Sequence, residues 1–250
     1  MLRERRIAFL VYDLIWADTS DGVLPFSYGA RTLEASLRGS PEFADAEIKI
    51  IELRSDDVQA YFEQIREFRP TLVAASAYIW SVKLFTELAE LVKRWDPSVR
   101  FIMGGPAARP SLLNLAPYAP YLKHIDAIAT GEVEEVIRHV VRNHLADDWT
   151  KTTPGLTVPG PLGWRRTGPL DRPVLDAYPS PYQLGIVPFG EKGFLETFRG
   201  CPINCAFCQW GEERADRVYS PEYIADHLRG IEAAGVTAVY VVDAGFNLSA

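Results

Sequence analysis

The sequence predicts an α/β protein built from a doubly wound domain over residues 1–146 and the opening of a (β/α) barrel over residues 189–250, joined by an irregular segment, 147–188. Three observations predict it. Apolar runs of strand length alternate with helix-period segments up to about Leu145, the signature of a doubly wound parallel sheet. Prolines and glycines then crowd the stretch from Asp147 to Pro188. Beyond it a strand, a cysteine-rich loop, a helix and a second strand follow one another, as at the start of a barrel.

Ile7 to Tyr12 is continuously apolar, as suits a strand buried on both faces of a parallel sheet. After a loop with Trp16, Asp18, Asp21 and Gly22, Pro25 to Leu37 reads as a helix stopped by Gly39. Ile48–Leu53 is a second strand, Val58–Phe68 an amphipathic helix ended by Pro70, and Leu72–Ser76 a third strand. Val82–Trp95 carries Leu84, Phe85, Leu88, Leu91 and Val92 at helical spacing and stops before Pro97. Val99–Met103 is a fourth strand running into Gly104-Gly105-Pro106. A short fifth, Ala127–Ala129, leads to Gly131-Glu132 and a helix from Glu134 to about Leu145. The connection is given a hairpin around Thr157–Arg166, with Trp149, Leu156, Trp164, Leu170 and Tyr178 supplying surfaces to pack. Gly193–Phe198 is the strand before the cysteine loop. Pro221–Ala234 is a helix capped by Ser220 with Ile224, Leu228 and Ile231 inward, and Val236–Val242 is the last strand. Two strands do not close a barrel, so the 250 residues are expected to be the N-terminal part of a longer protein, with the substrate pocket and the catalytic residues beyond residue 250.

With 48% hydrophobic and 24% charged residues the chain has the composition of a soluble globular protein, and a formal charge of −7 argues against general nucleic-acid binding. The apolar run at Ile7–Tyr12 is too short for a membrane span or a signal-peptide core. Ligands of a doubly wound sheet sit at the carboxyl ends of its strands, so the informative loops are Tyr12-Asp13, Ser76 to Trp80, Gly104 to Pro106 and Thr130 to Glu132. No G-x-G-x-x-G follows the first strand, which removes the dinucleotide fingerprint.

All three cysteines lie at Cys201, Cys205 and Cys208, spaced C-x3-C-x2-C. Iron–sulfur clusters take thiolate ligands, normally four, so three cysteines without a fourth imply a four-iron cluster with one iron left for another ligand. Structural zinc would need a fourth ligand, and His227 stands alone downstream; a disulfide framework fails on the odd count.

This motif, with Phe207 directly before the third cysteine, resembles the signature of the radical S-adenosylmethionine enzymes. The resemblance implies that Cys201, Cys205 and Cys208 hold a 4Fe-4S cluster and that S-adenosylmethionine chelates the open iron. It further implies that Phe207 touches the adenine, and that Asp243 and Asn247, at the end of the second barrel strand, approach the amino group. Asp243 and Asn247 read equally as loop turn residues. The order of Tyr12, Ser76-x-Tyr78-x-Trp80, Gly104-Gly105-Pro106 and Gly131-Glu132 resembles the cobalamin-binding, Rossmann-like domain that precedes the TIM-like radical barrel in the cobalamin-dependent subclass. Those residues then become corrin contacts. The Asp-x-His-x-x-Gly motif that supplies a lower axial ligand is missing, so an unligated lower face is expected, with Trp80 either covering it or serving as a core or interdomain aromatic.

The resemblance implies a methyltransferase carrying a methyl group from S-adenosylmethionine via methylcobalamin to an unactivated carbon or a phosphorus of a natural-product-type small molecule, by a 5'-deoxyadenosyl radical. It also implies an electron donor such as flavodoxin or ferredoxin, a cytoplasmic setting, and neither nucleic acid nor membrane as a partner. Two other readings fit the same motifs: a non-methylating rearrangement such as a ring contraction, and a cobalamin-binding sensor or delivery module with structural cysteines. The appearance of S-adenosylhomocysteine separates the first, and the effect of Cys205→Ala the second.

Overall fold

The computed structural model describes residues 4–12, 26–171, 174–203, 205–208 and 217–245. The chain divides into two compact units, one formed by residues 1–17 with 40–172, the other by 18–39 with 173–250.

The first unit is a seven-stranded sheet in the order β2-β1-β3-β4-β5-β6-β7. Its strands are β1 (Arg6–Val11), β2 (Glu47–Glu52), β3 (Leu72–Ser76), β4 (Arg100–Gly104), β5 (Ala127–Ala129), β6 (Leu156–Gly160) and β7 (Gly163–Arg166). The first five are mutually parallel, and β6 and β7 add on antiparallel. The five parallel strands fall where the apolar runs place them. The predicted hairpin is present too, but as the edge of this sheet and not as part of a separate connection.

Both faces of β1 are buried, which is why it reads as a continuous apolar run, whereas the edge strand β2 is mostly half-exposed and alternates. On one face Ala8, Leu10, Val73, Ala75, Phe101 and Met103 meet Tyr61, Ile65 and Phe68 of α2 (Val58–Phe68) and Phe85, Leu88 and Val92 of α3 (Val82–Trp95). The alternate residues Ile7, Phe9 and Val11 are buried as well. Each large side chain sealed in this way contributes about 2 kcal/mol. Helix α2 starts on Asp57, whose carboxylate accepts from the Gln59 and Ala60 amides. Short helix α4 (Pro110–Leu113) follows β4, α5 (Val133–Asn143) follows β5, and α6 (Trp149–Thr152) precedes the hairpin.

His144, at the end of α5, is buried with both ring nitrogens engaged, by the Val141 carbonyl at 3.1 Å and by Thr71 Oγ1 at 3.0 Å. Burial lowers its pKa to about 4, so the ring is neutral. Nδ1–H then donates to Val141, and Nε2 accepts from the threonine hydroxyl.

By compactness α1 (Tyr28–Arg38) groups with the second unit. The helix begins at Tyr28 and not after Pro25, because the Ser27 hydroxyl accepts from the Ala30 amide and sets the start. Phe26, Tyr182, Phe194 and Ile231 form the core of this unit. Strand β8 (Lys192–Leu195) pairs in parallel with β11 (Ala238–Val241), and β9 (Phe198–Arg199) pairs antiparallel with β10 (Arg217–Val218). The run from Gly193 to Phe198 is therefore two strands with a break at Glu196-Thr197.

Helix α7 (Pro221–Ala233) is capped by the Ser220 hydroxyl, as its sequence predicts. Its inward face differs from the prediction. Leu228 is 44% exposed, and His227 and Ile231 are the buried residues. Hydrophobicity alone selected Leu228, whereas the aromatic lining of Tyr182 and Tyr28 makes room for an imidazole one position earlier.

Candidate functional site

In a sheet of order 2-1-3-4-5 the chain reverses direction between β1 and β3, and a ligand crevice opens there at the carboxyl ends. Parallel pairing brings the loops after β1, β3, β4 and β5 to this end. With them come Tyr12, Ser76, Tyr78, Trp80, Gly104, Gly105, Pro106, Gly131 and Glu132, gathered along one rim of the first unit.

Hydrogen bonds from backbone and side-chain groups hold these loops. The Trp80 indole N–H donates to the Tyr12 carbonyl at 3.0 Å and bridges the two strand ends that flank the reversal. The indole stacks on Tyr78 with ring centroids 4.7 Å apart and planes 8° from parallel. Trp80 is nevertheless 40% exposed and Ile79 66%, so the loop presents an apolar aromatic shelf. Ser81 is buried beneath it: its hydroxyl accepts from the Tyr78 amide at 2.9 Å and donates to the Ser76 carbonyl at 3.1 Å.

The next loop locks onto this one. The Ala77 amide donates to the Gly104 carbonyl at 2.7 Å, and the Ala107 amide to the Ala77 carbonyl at 2.9 Å. Gly105 has φ +92°, and a β-carbon there would stand 2.8 Å from the Ala77 oxygen, so only glycine fits. Gly131 also has positive φ, and Glu132 is the extended residue from which α5 starts. On the far side of β1, the buried Tyr61 hydroxyl donates to the Val11 carbonyl and accepts from the Leu53 amide at 3.1 Å, tying the ends of β1 and β2 together. Neither Ser81 nor Tyr61 was singled out from the sequence. A hydroxyl inside an otherwise apolar helical pattern, as at Tyr61, was the available signal.

A flat, partly exposed aromatic shelf suits the broad apolar face of a corrin ring. None of the first unit's histidines, His124, His139 and His144, falls in the four loops. Asp13, the partner of Tyr12 in the sequence motif, lies outside the described residues.

In the second unit, Gly200 turns the chain with φ +98° into Cys201, which is 9% exposed; Cys205 and Cys208 are less buried, and all three thiols are free of disulfides. The Cys208 amide donates to the Cys205 carbonyl at 3.0 Å, making a tight turn with Phe207 outermost. Three free thiols within one short loop are the donor set an iron–sulfur cluster requires. They share the loop without converging: among the described residues no three His, Cys, Asp or Glu side chains are gathered closely enough to hold a metal ion.

Asp243 faces the start of β9. Its carboxylate accepts from the Thr197 amide at 2.8 Å, the Thr197 hydroxyl and the Phe198 amide at 3.3 Å. It thus ties the end of β11 to the strand that delivers the cysteines. Asn247 lies outside the described residues. Sequence reasoning missed Glu196, whose carboxylate accepts two hydrogen bonds from the Arg199 guanidinium, at 2.9 and 3.0 Å, and one from the Tyr219 hydroxyl at 2.8 Å. Burial, with the Glu196 charge second, pushes the Tyr219 phenol far up, so it remains a donor. Burial and the same charge raise Tyr28 well above its usual value. His227 donates from Nε2 to the Phe194 carbonyl at 3.2 Å, and burial holds its pKa down.

Comparison with known proteins bears on the fold and the family. Residues 22–141 match the B12 binding domain family. The chain is 31% identical over 200 residues to the cobalamin-dependent radical SAM methyltransferase TokK of Streptomyces tokunonensis, covering 72% of this chain and 28% of that protein. It is 29% identical over 194 residues to 2-(S-pantetheinyl)-carbapenam-3-carboxylate methyltransferase of Streptantibioticus cattleyicolor, with the same shares covered. Among solved structures it resembles the cobalamin-dependent S-adenosylmethionine radical enzyme OxsB with aqua-cobalamin and S-adenosylmethionine bound. The TM-score is 0.72 at 17% identity, over 98% of this chain and 34% of that one, a likeness of fold. The chain carries a B12-binding domain and is a relative of the cobalamin-dependent radical S-adenosylmethionine enzymes. It spans under a third of the length of the curated relatives it matches.

Proposed function

We propose that the protein is a cobalamin-dependent radical S-adenosylmethionine methyltransferase that places a methyl group on an unactivated carbon, or a phosphorus, of a natural-product-type small molecule. The observation that carries this reading is the coexistence, in one chain, of a B12-binding domain and a loop of three free thiols. When bound, cobalamin and the cluster with S-adenosylmethionine supply methyl-transfer and radical chemistry; the chain's own residues bind, orient and shield. In this reading Trp80, stacked on Tyr78 and anchored to Tyr12, covers the lower face of the corrin and keeps water from cobalt. Gly104, Gly105, Pro106, Gly131 and Glu132 form the rest of the rim, with Ser76 beneath. Cys201, Cys205 and Cys208 would hold a 4Fe-4S cluster, Phe207 would meet the adenine, and Asp243 and Asn247 would serve the amino group of S-adenosylmethionine. Asp243 does so with a carboxylate already aligned by Thr197.

A thiolate-ligated cluster favours a reducing, cytoplasmic setting and an electron donor of the flavodoxin or ferredoxin kind. No helix among the described residues is long and apolar enough to cross a membrane.

Anaerobic reconstitution of the protein with iron, sulfide and hydroxocobalamin tests the reading. About four irons and one cobalt per chain are expected, with cluster and corrin bands in the visible spectrum. Zinc in place of iron, or no retained cobalt, overturns it.

A further inference from the structure

The cysteine loop springs from a two-stranded neck. Arg199 at the end of β9 pairs with Arg217 at the start of β10, Phe198 pairs with Val218, and the Tyr219 amide donates to the Thr197 carbonyl at 3.1 Å. A two-residue ladder is a weak closure by itself. Glu196 reinforces it from inside. One carboxylate takes both arms of the Arg199 guanidinium, on the strand entering the loop, and the hydroxyl of Tyr219, on the chain leaving it. The Arg199 guanidinium also lies 6.0 Å from the Tyr219 ring centre, so the three groups form one stack across the neck. The Glu196 and Arg199 side chains are mostly buried, 12% and 18% exposed, where a charge-assisted bidentate pair is far stronger than on an open surface. Cys201 is two residues beyond this pair, past the left-handed turn at Gly200, and it is the most buried of the three thiols.

We propose that Glu196 is a positioning residue, whose carboxylate clamps the entering and leaving chains of the cysteine loop and thereby presets Cys201 as the fixed ligand to which Cys205 and Cys208 are drawn when iron binds. The inference rests on the cluster reading above. It explains why a loop whose thiols are not gathered still begins from a rigid point. It also assigns a purpose to a buried ion pair that the ligand set leaves unused. The guanidinium cancels the carboxylate charge, so the neck adds no net negative charge beside three thiolates.

The test uses the full-length, metal-free protein and follows iodoacetamide labelling of each cysteine by peptide mass. In the wild type Cys201 labels more slowly than Cys205 and Cys208. Glu196→Ala should speed Cys201 by about tenfold, the size of change that losing one charge-assisted contact implies. The other two thiols should stay near wild-type rates, and hydrogen-exchange protection of residues 221–233 should be kept. Glu196→Gln and Tyr219→Phe, which remove only the charge or one hydrogen bond, should each give about a threefold rise. Wild-type Cys201 kinetics in all three variants would overturn the proposal, as would a uniform rise at all three thiols with loss of helix protection. If Cys201 responds as described but the reconstituted wild type holds no iron, the clamp stands and the cluster reading falls.

Discussion

The rim of the first unit and the cysteine loop of the second are built in opposite ways. At the rim the loops after β1, β3 and β4 are tied together: Trp80 to Tyr12, Ser81 to Ser76 and Tyr78, Ala77 to Gly104 and Ala107. In the second unit Glu196 and Asp243 fix the neck, and among the described residues the thiols beyond it are free of disulfides and not gathered. A neutral aromatic surface costs nothing to preassemble. Three thiolates held in contact repel one another until a cation joins them, so under the proposed function ligation and local folding would be one event.

The largest effect that sharpens this contrast is a loss at one region that leaves the other untouched. Cys205→Ala should lower iron after reconstitution from about four per chain to below one, while cobalt retention stays at the wild-type level. Equal losses of both metals would break the comparison. Next, Gly105→Val puts a β-branched residue at φ +92° against the Ala77 backbone. It should cost about 2–4 kcal/mol in urea unfolding and weaken cobalamin retention, without changing Cys201 labelling.

Acid should act on the first unit through His144. Its folded pKa, about 4, lies below the ordinary 6.5. The unfolded chain therefore takes up the proton first, and the stability that the neutral ring brings is lost as pH falls from 6.5 towards 4. Between pH 7 and pH 5 this amounts to about 2 kcal/mol. His144→Gln should flatten that part of the pH dependence in urea titrations; an unchanged slope would count against it. The smallest effect is expected from Trp80→Ala, about tenfold in cobalamin affinity with unchanged thermal stability, because the indole is partly exposed. A matching drop in melting temperature would make Trp80 a structural residue instead.

The sequence discloses these two regions unequally for a physical reason. A strand buried on both faces, such as β1, is apolar throughout and could be read directly, and the C-x3-C-x2-C spacing is local chemistry that needs no fold to be seen. Long-range polar contacts leave no such trace. Glu196 looked like any residue of a short strand until Arg199 and Tyr219 were seen on either side of it, one of them 23 residues away in sequence. His227 was set aside in favour of Leu228, since hydrophobicity ranks imidazole as an outer residue and takes no account of the tyrosines around it. Whether the thiols converge could not be read at all, because spacing fixes only how far apart they can be.

The hairpin β6–β7 has a consequence of its own. By running antiparallel to β5 it relieves the parallel strands of an open flank, and it ends in Gly163 and the exposed Arg165 and Arg166. Another polypeptide seeking to prolong the sheet there would have to bring its backbone up to two guanidinium groups. The final strand therefore works as a punctuation mark that halts growth of the sheet and protects it from aggregation.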